Sequence, residues 1–189
     1  MLTDSVLTRR LVFLAGGLLL CGGTNIALDV LGKPKPQNQE SWQAKRIISG
    51  QTIEAVPVGS NQRKRIRLIG ISAPALDQDP WGLAARSRLE ELVGGDPFLL
   101  EKDAEEIDDS NRLLGYIWAD GRLVNLILVE EGYVLADVRP PNNRYQKLLE
   151  NAQARARILG LGIWDPRNPL RLTPSEHFRL KQQGGKSLT

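Results

Sequence analysis

Two short motifs each carry one arginine among apolar residues: Ile66-Arg67-Leu68-Ile69-Gly70-Ile71-Ser72-Ala73-Pro74-Ala75 and Asn111-Arg112-Leu113-Leu114-Gly115-Tyr116-Ile117-Trp118-Ala119-Asp120-Gly121. Each reads as a β-strand, and two guanidinium groups brought side by side can clamp one phosphate through bidentate hydrogen bonds. Phosphate transfer needs carboxylates as well, to hold a metal ion and to position a water. Other catalytic chemistries are closed to this chain by its composition. It has one histidine, His177, near the C-terminus, and one cysteine, Cys21. A core Ser-His-Asp arrangement, an internal disulfide and a cysteine-based zinc cluster are therefore excluded. What remains is Arg, Lys, Asp, Glu and Tyr.

Two acidic groups lie near the arginine motifs. Asp77 and Asp79 precede a helix start at Pro80-Trp81, where carboxylates favour the helix N-terminus. Glu101, Asp103, Glu105, Glu106, Asp108 and Asp109 lead into Arg112 and read as a solvated strand-turn stretch. Beside the arginines, that stretch would repel a nucleic-acid backbone. Arg63-Lys64-Arg65 pulls the other way, as an exposed cationic turn. Trp42, Trp81, Trp118 and Trp164 read as core or barrel-edge packing, with Tyr116 also set among apolar residues.

The elements that must position these residues follow from periodicity and turn chemistry. The 189 residues suit one modest domain with terminal extras, and the net charge of +3 is too small to specify nucleic-acid binding by itself. β-like runs are expected over Arg46–Val58, Arg65–Ile71, Phe98–Lys102 and Leu113–Trp118. A helix fits Trp81–Val93, with Leu83, Leu89, Leu92 and Val93 on one side and Gly94-Gly95 stopping it. A short helix fits Arg122–Glu131. Asn143–Leu159 is the most helical stretch, with Gly160 placed to cap it. Another short helix is expected after Thr173-Pro174. Periodicity alone specifies an α+β fold, and short strands interrupted by helices fit a small Greek-key barrel.

Residues 11–28 form an uncharged apolar run after Arg9 and Arg10, long enough to span a bilayer. The basic flank places the N-terminus in the cytoplasm and the rest outside. A retained signal-anchor is favoured over a cleaved signal peptide, because Asn25 sits where cleavage after Ala27 would want a small residue. The expected organisation is a hydrophobic leader helix within 1–31, a linker over 32–41, a folded domain over 42–166 and a polar tail over 167–189.

The motifs resemble the staphylococcal-nuclease, or thermonuclease-like, family over roughly Trp42–Pro166. They are Ser49-Gly50-Gln51-Thr52, Arg67–Pro74, Arg112–Gly121, Val124-Asn125, Pro141-Asn142-Asn143 and Gly162-Ile163-Trp164. The resemblance implies a five-stranded OB-fold barrel with three packed helices and calcium-dependent hydrolysis of phosphodiester bonds in DNA and RNA. It places the two catalytic arginines at Arg67 and Arg112. It also places the metal-ligand aspartates at Gln51 and Ser72, and the glutamate acting on the attacking water at Ala75. Two tyrosines of the nucleotide pocket fall near Asp137 and Arg139.

Calcium takes six to eight hard oxygen ligands, largely from carboxylates. An amide carbonyl and a hydroxyl, with two formal negative charges fewer, are poor replacements, and Ala75 has no proton acceptor. General-base assistance is typically worth about 10²–10⁴ in rate. The resulting expectation is a membrane-anchored, extracytoplasmic and catalytically degenerate domain. It needs no calcium, and Arg67 and Arg112 contact a nucleic acid, nucleotide or other phosphate-bearing ligand. The rival expectations are an active nuclease with a rearranged metal site using Asp77 or Asp79, and an envelope domain that only docks to a protein partner.

Overall fold

Successive strand side chains point to opposite faces, and that alternation decides what each strand presents to the site. The computed structural model describes residues 39–186; the apolar run over 11–28 and most of the linker lie outside them. Among the described residues, no helix is long and apolar enough to cross a membrane. The strands are β1 (Gln39–Ser49), β2 (Thr52–Pro57), β3 (Lys64–Leu68), β4 (Gly70–Ser72), β5 (Phe98–Glu101), β6 (Leu113–Ala119), β7 (Arg122–Leu123) and β8 (Leu135–Asp137). The helices are α1 (Trp81–Val93), α2 (Val124–Glu130), α3 (Gln146–Leu159) and α4 (Pro174–Lys186), with a 3-10 turn over Gly162–Trp164.

The main sheet runs β3-β2-β1-β5-β6-β7, and a parallel pairing of β3 with β6 joins its ends. Strands β1, β2, β3, β5 and β6 thereby close a five-strand barrel, the OB-fold architecture expected. β4 pairs separately with β8, in an antiparallel ladder from Gly70↔Asp137 to Ser72↔Leu135. Ile53, Ile66, Leu68, Leu100 and Ile117 fill the barrel, and Leu89, Leu128 and Leu149 of the packed helices are equally buried.

Several boundaries differ from the sequence reading. Arg46–Val58 is not one strand but a hairpin, turning at Gly50-Gln51. A Cβ on Gly50 would lie 2.6 Å from the Ala85 Cβ, so the turn needs glycine to sit against α1. Arg65–Ile71 breaks between Leu68 and Gly70, so that β4 leaves the barrel for β8. The strand β1 begins at Gln39, inside the stretch read as linker, because Gln39–Trp42 pairs with β5. In α1 the buried positions are Gly82, Ala85, Leu89 and Val93, whereas Leu83 is exposed. A Cβ on Gly82 would lie only 1.9 Å from the Ala75 carbonyl oxygen. The small residue lets α1 press on the loop after β4, and the buried face follows that contact instead of the largest side chains. Gly160 does cap α3, in the left-handed conformation (φ 62°). The tail forms a helix of 13 residues, a fourth beside the three of the resemblance.

Two buried asparagines fix loops at the site. Asn125 is fully buried; its Oδ1 accepts from the Ile117 N–H (3.0 Å) and its Nδ2 donates to the Ile69 carbonyl (2.8 Å). One side chain thus ties α2 to β6 and to the Leu68–Gly70 break beside Arg67. Asn142 exchanges a reciprocal pair with the Glu105 backbone, accepting at 2.8 Å and donating at 2.9 Å. Removing the Asn125 amide orphans one buried N–H and one buried carbonyl, each costing about 1–3 kcal/mol. Asn125→Ala is therefore expected to lose about 2–5 kcal/mol of stability in urea denaturation with an unchanged m-value. A loss well below 1 kcal/mol would contradict this role.

Candidate phosphate site on the barrel rim

In β3, Ile66 and Leu68 point into the barrel, so Arg67 between them points out. The parallel register sets Arg67 opposite Leu114 and Ile66 opposite Leu113. Arg112, immediately before Leu113, is thereby delivered to the same rim. Both arginines line one cavity of about 560 Å³, together with Gln51, Ser72 and Ala75. A cavity of this size falls within the range that holds small ligands, about 300–1,000 Å³.

The two guanidinium groups are held differently. Arg67 donates through Nη1 to the Leu68 carbonyl and through Nη2 to the Ile71 carbonyl (2.7 Å). No carboxylate among the described residues forms an ion pair with it. Burial, and next the positive charge of Arg112, pull its pKa down to about 10. It is still a cation at neutral pH, its charge offset only in part by the carboxylates of Asp137 and Asp108. Arg112 is paired instead: its Nε lies 2.8 Å and its Nη2 2.6 Å from Asp108 Oδ2, while its backbone N–H reaches Asp108 Oδ1 at 2.9 Å. Burial pushes the Asp108 carboxyl up, but its hydrogen bonds to Arg112 outweigh that and hold it below its usual range. Arg139 binds Asp137 through Nε (3.2 Å) and Nη2 (2.8 Å), and this contact raises the Arg139 pKa.

The charged residues of the cavity wall are Arg67, Arg112 and Arg139 against Glu105, Asp108 and Asp137, three of each sign. Part of the acidic stretch before Arg112 is thus at the site, where it offsets the arginines. Arg112 is ion-paired, and Arg67 forms no ion pair among the described residues.

Gln51 occupies the turn between β1 and β2. Its Oε1 accepts from the Ala73 N–H at 2.6 Å, tying that turn to the loop after β4. Ser72, half-buried at the end of β4, adds a hydroxyl, and Ala75 adds no donor atom. This donor set does not fit calcium: the one carbonyl is already engaged and none of the three positions carries a carboxylate. Among the described residues, no group of three or more His, Cys, Asp or Glu side chains can hold a metal ion.

Asp77 and Asp79 do not line the cavity. Instead of serving the start of α1, Asp77 anchors the tail, with its Oδ1 3.0 Å from His177 Nε2 and its Oδ2 bonded to Lys181 Nζ. Gln78 adds a second tie. It accepts from the Ala75 N–H at 2.9 Å and donates to the Leu172 carbonyl at 2.8 Å. These contacts bring Pro174, Ser175 and Phe178 to the cavity wall. The wall residues missed from sequence are chiefly these three, and no local pattern links them to residues a hundred positions earlier.

A closed OB barrel with one arginine in β3 and another just before β6 at its rim is the arrangement the sequence motifs imply. The family described as staphylococcal nuclease homologue matches residues 65–166, more than half the chain. The chain is 35% identical over 131 residues to a thermonuclease from Staphylococcus intermedius, covering 67% of this chain and 77% of that protein. It is 30% identical over 132 residues to a thermonuclease from Staphylococcus hyicus, with the same coverage. Over 141 residues it is 30% identical to endonuclease YncB of Bacillus subtilis, covering 70% of this chain and 67% of that protein. The chain belongs to the staphylococcal nuclease family.

The tail anchor has a definite pH dependence. The hydrogen bond from Lys181, reinforced by His177, holds the Asp77 carboxyl below its ordinary value of 3.8. A depressed carboxylate contributes while ionised, so the anchor is full strength above pH 3.8 and is lost as pH falls through the lower folded-state value. In hydrogen exchange corrected for intrinsic rates, α4 amides of Asp77→Asn should exchange faster than wild type at pH 7. The wild type should approach the variant only below about pH 4. Equal exchange at pH 7 would contradict the anchor.

Proposed function

We propose that this chain is a thermonuclease-like domain that binds phosphate-bearing ligands at Arg67 and Arg112 without metal-dependent hydrolysis. It is carried outside the cytoplasmic membrane on its apolar segment 11–28. The observation that carries the binding reading is the Arg67 guanidinium: a cation with no carboxylate partner, directed by two carbonyls into a cavity whose other arginines are ion-paired. A phosphate there would relieve the repulsion between Arg67 and Arg112 and gain charge-assisted hydrogen bonds. Its relatives carry the names thermonuclease and endonuclease, which makes nucleic acid or its fragments the natural source of that phosphate. The reading of lost hydrolysis rests on Gln51, Ser72 and Ala75 at the positions where the family resemblance expects carboxylates.

A hydrolytic reading has one residue in its favour. Glu105 lines the cavity and forms no ion pair among the described residues, so a rearranged metal site would have to be built on it. Asp77 and Asp79 offer no such support.

Two measurements on the purified protein decide between these readings. Titration with inorganic phosphate should shift amide resonances around Arg67, and Arg67→Ala should weaken binding by about 10–100-fold, the loss of one charge-assisted contact. Incubation with calcium, magnesium or manganese and single-stranded DNA should yield no cleavage above a metal-free control. Metal-dependent cleavage abolished by Glu105→Gln would establish the hydrolytic reading instead. No response to phosphate would leave a protein-docking domain.

A further inference from the structure

The cavity wall contains a single aromatic residue, Phe178, and it comes from the tail helix. Phe178 is 62% exposed although α4 is firmly placed, so packing of its ring does not account for its position. None of the described α4 side chains is buried. The helix is held by polar contacts instead. At its start, Thr173 and Glu176 form a reciprocal capping box: the Thr173 N–H donates to Glu176 Oε2 (2.8 Å), and the Glu176 N–H to Thr173 Oγ1 (3.3 Å). Pro174 stands at the first helical position, where its missing N–H costs nothing. One turn apart, His177 and Lys181 share a helix face and grip Asp77. Phe178 follows His177 by one residue, about 100° around the helix, which turns it away from Asp77. Together these contacts hold an open aromatic face at the edge of a cavity that also holds the Arg67 guanidinium, which forms no ion pair among the described residues.

We infer that Phe178 is a stacking platform for a planar ring attached to the phosphate. The tail helix then completes a site for nucleotides, with phosphate at Arg67 and base on Phe178. The inference rests on the phosphate-binding reading and adds to it the class of ligand. An exposed ring facing a cavity loses little by receiving a base, because both π-faces leave water together. Base–aromatic stacking tolerates any base, so the site should select a nucleobase over none without strongly selecting among bases. The cavity's equal numbers of acidic and basic groups suit this arrangement: once the phosphate is seated, discrimination comes from the ring and not from further charge.

The test compares adenosine 5′-monophosphate with ribose 5-phosphate, which carries the same phosphate and sugar without a base. Calorimetric titration of the full-length protein should show the nucleotide binding roughly tenfold tighter. Phe178→Ala should remove that advantage while leaving ribose 5-phosphate unchanged, and Phe178→Trp should preserve it. Arg67→Ala should weaken both ligands together. Equal affinity of the native protein for the two ligands would overturn the stacking inference and leave phosphate binding intact. The same holds if Phe178→Ala weakens both alike. Failure of the native protein to bind either ligand would overturn the phosphate reading and the inference with it.

Discussion

The parallel pairing of β3 with β6 is the contact on which the site depends. It closes the barrel, and in doing so brings together two arginines that the sequence keeps far apart. Inward placement of Ile66 and Leu68 forces Arg67 outward, and the register then leaves it next to Arg112. Two like charges at one rim are costly, and the fold handles them unequally. Asp108 neutralises Arg112, whereas Arg67 is oriented by carbonyl dipoles that cannot cancel its charge. Burial, and next the positive charge of Arg112, lower the pKa of Arg67. An anionic ligand is the natural complement to a charge left in this state.

At Gln51, what holds the frame together is separate from what a metal ion would require. Its amide oxygen accepts the Ala73 N–H, so the joint between the β1–β2 turn and the loop after β4 is satisfied by a neutral group. The fold needs an acceptor at this position; calcium needs a charge. Ser72 and Ala75 complete the same separation. Their backbone keeps the course set by the β4–β8 ladder and by the close approach of Gly82, while their side chains supply no carboxylate.

Much of this was legible in the sequence because it is local. The arginine-bearing strands, the α3 helix with its Gly160 cap and the Asn125 and Asn142 motifs all announce themselves within a few residues. The failures have a common physical cause, which is tertiary contact. Leu83 fits an apolar helix face, yet α1 buries Gly82 in its place because the loop at Ala75 presses there. The break at Ile69 looks like continuous strand until β8 captures β4. Asp77 reads as a helix-start carboxylate, while its partners His177 and Lys181 lie a hundred residues onward. The helix after Thr173-Pro174 is legible from its capping residues, but its placement is not, because the contacts that hold it are hydrogen bonds to distant residues and leave no apolar period.

We propose that the family frame persists here without the carboxylates that would drive hydrolysis, because Gln51, Ser72 and Ala75 stand at their positions. Restoring them together, as Gln51→Asp, Ser72→Asp and Ala75→Glu, tests this most directly, by following calcium-dependent cleavage of single-stranded DNA. Cleavage by the restored protein should be at least about 10²-fold faster than by the native chain, the lower end of what general-base assistance alone contributes. Native protein that cleaves as fast as the restored variant would contradict it.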